Sequence, residues 1–273
     1  MQVSCLPVSF FDEIVSGEMT LGQWARIGAE AGLDAIDLSI LFVPDHSPEA
    51  ITRARQEIEA EGMRVQMVTT YPDFTHPEPE QREKQRDILS EQMEVAAGLG
   101  AELVRVTAGQ AHPDISRADG VAWAAENLCW TVEAAQDWGI IPVFENHAKP
   151  GCWELPDFSL DADNFLAICR ETAHCGLGIN FDTANTVVDD TDPVPVLAEV
   201  VERVVSVHAA DTSTTGTLTH VLLGTGIVPF ADLFGVLKGA GWDGWICIEE
   251  GSQQGPEGVR AAAEFVRRTW EEA

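Results

Sequence analysis

The chain reads as one (β/α)8 barrel, a TIM barrel of the α/β class, spanning residues 1–273. Three observations point to it: short apolar runs recur, helix-like segments alternate with them, and most helix-to-strand joints hold a glycine. A short apolar run bounded by turn signals is a strand buried on both faces, the condition of a parallel sheet. The runs expected as strands are Val3–Phe10, Ala35–Leu38, Val65–Val68, Leu103–Val106, Ile140–Phe144, Leu177–Phe181, Val204–Val207 and Trp245–Ile248.

Between them the apolar spacing is near three to four, which predicts helices. These are Leu21–Ala31, Pro48–Glu61, Gln81–Gly98, Ala118–Trp138, Ala162–Ala173, Pro193–Val201, Pro229–Gly239 and Glu257–Trp270. Thr20, Ser47 before Pro48, and Asp161 are good start signals. Gly32, Gly62, Gly100, Gly139, Gly176 and Gly241 stand where a left-handed residue ends a helix. With no linker or composition shift, the alternation argues for one closed barrel whose chemistry sits at the C-terminal ends of the strands. Trp123, Trp130 and Trp138 share a helical face and are expected to pack that helix on the barrel.

Composition narrows the partners. The net charge is −29, from 45 acidic against 16 basic residues. Such a field repels phosphate backbones and anionic lipid, which argues against nucleic acid and membrane surfaces. No apolar run approaches the roughly 18 residues of a membrane span, and the start lacks the basic and apolar regions of a signal peptide. The six cysteines form no CxxC pair. They read as small buried hydrophobes in a reducing cytosol, not a disulfide framework. A cytoplasmic location is the expectation.

The expected strand ends carry the chemistry. Glu145, Asp182, His208 and Glu249 each follow one of the last four runs, one βα unit apart, and a closed barrel brings such ends together. Three carboxylates and an imidazole suit one divalent ion, Mn²⁺ first, with Mg²⁺, Co²⁺ and Zn²⁺ as alternatives. Taken singly, Asp182 before Thr183 also reads as a helix N-cap, and Glu250 beside Glu249 as a loop acid. Three carboxylates exceed the charge of one ion, so Glu145 and Glu249 can exchange a proton with a substrate beside it. That is enediolate chemistry next to a carbonyl, as in sugar isomerisation or epimerisation.

Four blocks carry a family likeness: Val143-Phe144-Glu145-Asn146-His147, Asn180-Phe181-Asp182-Thr183-Ala184-Asn185, Val207-His208-Ala209-Ala210-Asp211 and Ile246-Cys247-Ile248-Glu249-Glu250-Gly251. They resemble the sugar phosphate isomerase/epimerase superfamily, the xylose isomerase-like TIM barrels. The opening Gly17–Leu21 and Gly32–Leu38 resembles its first βαβ unit, so the likeness covers nearly the whole chain. It implies one metal on Glu145, Asp182, His208 and Glu249, with Glu145 and Glu249 as the acid/base pair. Asn185 stands where many members carry a histidine, which removes a ligand that the family's nucleases need. No Arg or Lys lies within 208–228, where the keto-sugar 3-epimerases place an arginine.

His147 would point to the same side as Glu145 and is a candidate base or a mere contact to substrate. Glu145-Asn146-His147 also resembles the large subunit of C-glycoside deglycosidases, lyases that act on a 3-oxo-glycoside with a small partner chain. Candidate substrate contacts are His147, Asn185, His112, Asp211 and His220. The expected function is thus a metal-dependent sugar isomerase or epimerase. The alternatives are the deglycosidase catalytic subunit and a non-catalytic sugar-binding barrel; a homo-oligomer or a hetero-oligomer with a small subunit is open. The Gly224-Thr225-Gly226 stretch reads as a loop turn, since no strand–Gly–helix context surrounds it.

Overall fold

A computed structural model describes residues 1–273. Its eight strands are β1 (Gln2–Leu6), β2 (Ile36–Ser39), β3 (Val65–Thr69), β4 (Leu103–Val106), β5 (Ile141–Glu145), β6 (Gly178–Asp182), β7 (Val204–Ala209) and β8 (Trp245–Glu249). All pair in parallel, in the order β1-β8-β7-β6-β5-β4-β3-β2. The sheet is a nearly closed barrel. Its β1–β2 seam is bridged by the Asp34 N–H to Val3 O at 2.8 Å and the Val3 N–H to Asp34 Oδ2 at 2.8 Å. Ser4 Oγ also donates to Asp37 Oδ2 across it at 2.6 Å.

The surrounding helices are Leu21–Glu30, Pro48–Ala60, Pro79–Leu99, Arg117–Ala135, Ala162–Glu171, Pro193–Val200, Phe230–Gly239 and Gly255–Glu272. The three expected caps form: Thr20 closes a reciprocal box with Gln23, Ser47 accepts from the Ala50 N–H and Asp161 from the Asn164 N–H. At the six predicted joints the glycine φ lies between 66° and 80°, where a side chain would be strained. Two short helices, Phe11–Ser16 and Asn185–Val188, are additional. The first strand stops at Leu6 and not at Phe10: Pro7 brings no N–H to a ladder, and Val8–Phe10 winds into a 3₁₀ turn.

Because a strand alternates faces, residues two apart point the same way. Ala35, Met67, Leu103, Val143, Trp245 and Cys247 form one apolar cluster apart from the main core, which packs strands against helices. Val143 lies two residues before Glu145, Leu103 two before Arg105, and Cys247 two before Glu249. That cluster therefore plugs the barrel interior, and the polar residues beyond it form the floor of the mouth.

Two expectations are corrected. Trp130 packs against the core as expected, but Trp123 and Trp138 do not; Arg82 and Arg86 of the preceding long helix stack over Trp123 and Trp130 at 4.1 Å and 5.4 Å, and Trp138 is 36% exposed. Ala124, Leu128, Thr131 and Ala135 are the buried face of that helix, because the small-residue stripe lets it lie closer to the strands than indole rings would. The cysteines are not all free. Cys5, Cys169 and Cys247 are buried thiols, whereas Cys152 is exposed and Cys129 is disulfide-bonded to Cys175. Adjacent packing of helices Arg117–Ala135 and Ala162–Glu171 brings these two to a Cα separation of 5.6 Å, across 46 residues of sequence. No helix is long and apolar enough to cross a membrane.

A candidate metal centre at the barrel mouth

Glu145, Asp182, His208 and Glu249 meet at the C-terminal ends of β5–β8. Asp182 is the register partner of His208, and Asn180, two residues before Asp182, is that of Glu145. One donor atom from each of the four lies within 4.8 Å of the others, and all four residues are buried.

The hydrogen bonds show how each is aimed. Asp182 Oδ1 accepts from the Ala184 and Asn185 N–H groups at 2.8 Å and 2.7 Å, capping the turn into Asn185–Val188. Its Oδ2 is buried without a partner. The two readings of Asp182 thus belong to its two oxygens. Glu145 Oε1 accepts from Asn180 Nδ2 at 3.0 Å, and Ser206 Oγ donates to Asn180 Oδ1 at 2.7 Å. His208 Nδ1 lies 2.5 Å from Glu145 Oε1 and 3.0 Å from Glu249 Oε1, yet neither approach has hydrogen-bond direction.

Buried polar atoms without partners are destabilising by roughly 1–3 kcal/mol each, more when charged. Asp182 Oδ2, Glu145 Oε2 and His208 Nδ1 all lack hydrogen bonds in this cluster. A divalent cation would satisfy them, and three carboxylates with one imidazole are a fitting donor set for it.

Electrostatics says the same. Burial raises the Asp182 carboxyl well above its ordinary range, and Glu249 and Glu145 push it further. Burial alone would depress the His208 imidazolium, but Glu145 and Glu249 outweigh it and hold the ring charged. Burial would also raise Glu249; His208 overrides it and brings that carboxyl down to about 2. Without a cation the cluster balances itself with protons.

Arg105 and Asn146 were not singled out as site residues, and both are built into the floor. Arg105 is 1% exposed. Its Nε lies 2.9 Å from Glu145 Oε2, its Nη1 donates to Thr70 O at 2.9 Å, and its guanidinium stacks 4.8 Å from the Tyr71 ring. A charge inside the apolar run Leu103-Val104-Arg105-Val106 was its sequence signal. Asn146 accepts the Asp182 N–H and donates to Asp182 O and Thr186 Oγ1.

A cavity of about 460 Å³ opens over the cluster, lined by Tyr71, Arg105, His147, Lys149, His220 and Glu249, with Leu6, Val8, Phe11, Leu41 and Leu218 as its apolar wall. Two of the five expected substrate contacts, His147 and His220, line it. The other three lie elsewhere. Asn185 donates through Nδ2 to Asn146 O, and His112 Nε2 sits 2.9 Å from Asp73 Oδ2. Asp211 accepts the Thr212, Gly224, Gly226 and Val228 N–H groups, so the Gly224–Gly226 turn wraps the chain's own carboxylate. Glu250 likewise accepts the Ser252 N–H, as a loop acid. Burial brings His147 down to about 4, with Arg105 adding to the effect and Glu145 opposing it.

Fold and cluster together define an α/β barrel with a carboxylate–imidazole centre suited to a metal at its mouth. The model of the xylose isomerase-like TIM barrel family matches residues 25–269, and the chain belongs to that family. It is 31% identical over 124 residues to an uncharacterised protein of Methanocaldococcus jannaschii, a match that takes in 43% of this chain. The matched stretch spans 39% of that relative's length. Among solved structures it is similar to a D-tagatose 3-epimerase-like protein, with a TM-score of 0.79 and 20% identity over 100% of this chain and 98% of the other. The IolI protein with a bound zinc atom superposes with a TM-score of 0.80 and 15% identity, over 100% and 99% of the chains. At these identities the likeness shows the fold.

Proposed function

We propose that this chain is a divalent-metal-dependent sugar isomerase or epimerase that moves a proton at a carbon beside a carbonyl. The observation that carries the reading is the convergence of Glu145, Asp182, His208 and Glu249 within 4.8 Å, with Glu249 lining the cavity above them. Family membership and the epimerase named among similar structures support it.

Those four residues would hold the ion, Mn²⁺ by the donor set, and when bound it would polarise the substrate carbonyl and acidify the neighbouring C–H. Glu145 and Glu249 come from strands three apart around the barrel, so they approach a bound molecule from different sides. One takes the proton from carbon and the other returns one. Asn180 and Arg105 orient Glu145 beneath the cavity that Glu249 lines. His147 stays neutral at pH 7, but a base held near 4 is a weak acceptor there. This favours His147 as a hydrogen-bonding contact to the substrate over the base of a lyase.

The test is direct. Purified protein is analysed for bound metal, and aldoses and ketoses are incubated with it in D₂O with Mn²⁺ while C–H signals are followed by NMR. Wash-in of deuterium beside the carbonyl is expected, falling about 10²–10⁴-fold in Glu145→Gln. An unmetallated protein that neither binds Mn²⁺ nor exchanges any sugar proton would overturn the proposal. Aglycone release from an oxidised C-glycoside without isomer formation would replace it by the lyase reading.

A further inference from the structure

The cavity wall holds two cationic side chains with hydrogen-bond donors to spare. The chain has only 16 basic residues against 45 acidic ones. Yet Arg105 and Lys149 both line the one cavity that opens on the metal centre, together with His147 and His220. Arg105 has committed Nε to the neighbourhood of Glu145 and Nη1 to Thr70 O, and its Nη2 has no bond within the chain. Lys149 is exposed on the same wall and enters none of the chain's ion pairs.

Charge arithmetic explains what this permits. Three carboxylates around a divalent ion leave one net negative charge, which would repel an anionic ligand. Arg105, at ion-pair distance from Glu145, cancels that charge. Asp12, the other acid of the cavity lining, forms no ion pair with Lys149, so the ammonium keeps its donors free. The opposite wall is apolar, with Leu6, Phe11 and Leu41 among its residues, and would leave the hydroxyls of a fully substituted sugar face without partners.

We propose that the cavity takes a hydroxylated monocarboxylate, a sugar acid or cyclic hydroxy acid, with its carboxylate held by Arg105 Nη2 and Lys149 Nζ. The inference rests on the metal-centre reading of the same site and names its substrate class. A carboxylate fits one free guanidinium nitrogen and one ammonium better than a phosphate, which calls for more donors.

Isothermal titration of the Mn²⁺-loaded full chain tests it. The probes are D-glucuronate, D-gluconate and quinate, the neutral counterparts D-glucose and D-sorbitol, and D-glucose 6-phosphate. At least one acid is expected to bind tenfold or more tighter than every neutral probe and than the phosphate. Lys149→Gln, at an exposed position that leaves the fold intact, is expected to weaken that acid about threefold to tenfold and leave neutral probes unchanged. Arg105→Lys is expected to weaken that acid more strongly, with circular dichroism checking its fold.

Neutral probes or the phosphate binding as tightly as the acids would overturn the proposal. So would an acid preference that survives in both variants, because the carboxylate would then be bound by the ion alone. Metal stoichiometry and deuterium wash-in are read separately on the same preparation. Protein that binds Mn²⁺ and exchanges a sugar proton without acid preference loses this inference only, whereas failure to bind Mn²⁺ removes the reading beneath it.

Discussion

Asn146 grips both backbone polar groups of Asp182: its Oδ1 accepts the Asp182 N–H at 2.8 Å, and its Nδ2 donates to Asp182 O at 2.9 Å. This ties the end of β5 to the end of β6 and fixes the depth at which the Asp182 carboxylate enters the cluster. Asn146→Ala removes both bonds while deleting no ligand. Metal affinity is expected to fall about 10–100-fold, the usual effect of losing a group that orients a ligand. Competition against a fluorescent chelator reads this. Unchanged affinity would mean that the strand ends hold their spacing without Asn146.

Much of this arrangement was legible before any coordinates. The eight strands were visible because a parallel barrel buries both faces of each strand, which leaves unbroken apolar runs. The cluster was visible because each ligand ends such a run. What escaped was set by tertiary neighbours. His112 and Asp211 follow strands as His147 and His220 do, but Asp73 and four backbone N–H groups claim them, and no local pattern records that. Asn146 and Asn180 act through partners 36 and 35 residues away. The Cys129–Cys175 bond joins two helix surfaces whose contact only the fold creates.

Metal binding is expected to displace protons. With no cation present, burial and the neighbouring carboxylates raise the Asp182 carboxyl, and, against burial, Glu145 and Glu249 raise the His208 ring; a ligand must give up its proton to bind. Titrating Mn²⁺ at pH 7 in buffers of different ionisation enthalpy should therefore report proton release. Affinity should weaken as the pH is lowered. Asp182→Asn should cut both the proton count and the affinity, yet leave the metal-free protein at least as stable, since it removes one of three crowded carboxyls.

Asp157 gives the stability a pH dependence of its own. Burial raises its carboxyl from 3.8 to about 8, against the opposing bonds from the Ser159 hydroxyl and N–H. A raised folded-state value means that the folded chain holds this proton more tightly than the unfolded one. The associated stability is complete below about pH 4 and is lost as pH rises through 8. Asp157→Asn keeps the Oδ1 acceptor and removes the ionisation. Its melting temperature should match wild type near pH 4 and exceed it at pH 9. Parallel curves for the two proteins across that range would refute the assignment.

The net charge of −29 should make the fold sensitive to salt. Self-repulsion among exposed carboxylates opposes compaction, and the Debye length shrinks from about 10 Å at 0.1 M salt to about 3 Å at 1 M. Ion pairs screened by the same salt are few and exposed, such as Arg170–Glu199 and Arg55–Glu59, and contribute little. Repulsion therefore wins, and the melting temperature of metal-free protein is expected to climb between 0.1 and 1 M KCl. A flat or falling curve would show that those pairs outweigh the repulsion.

Reduction of Cys129–Cys175 should loosen the wall behind the site. The bond ties the helix Arg117–Ala135, which precedes β5, to the turn closing Ala162–Glu171, which precedes β6. It therefore brackets the unit that presents Glu145, His147 and the loop over the cavity. Closing a loop of 46 residues in the unfolded chain corresponds to about 4 kcal/mol by the chain-entropy relation, an upper figure that native packing commonly reduces. Unfolding free energies from denaturant curves with and without dithiothreitol should differ by about 2–4 kcal/mol, and Cys129→Ala should reproduce the reduced protein and lose its response to dithiothreitol. His174 Nε2 lies 4.0 Å from Cys129 Sγ, outside the barrel and away from the cluster, so metal affinity should barely change. Equal midpoints for reduced and oxidised protein would mean that helix packing alone secures this part of the barrel.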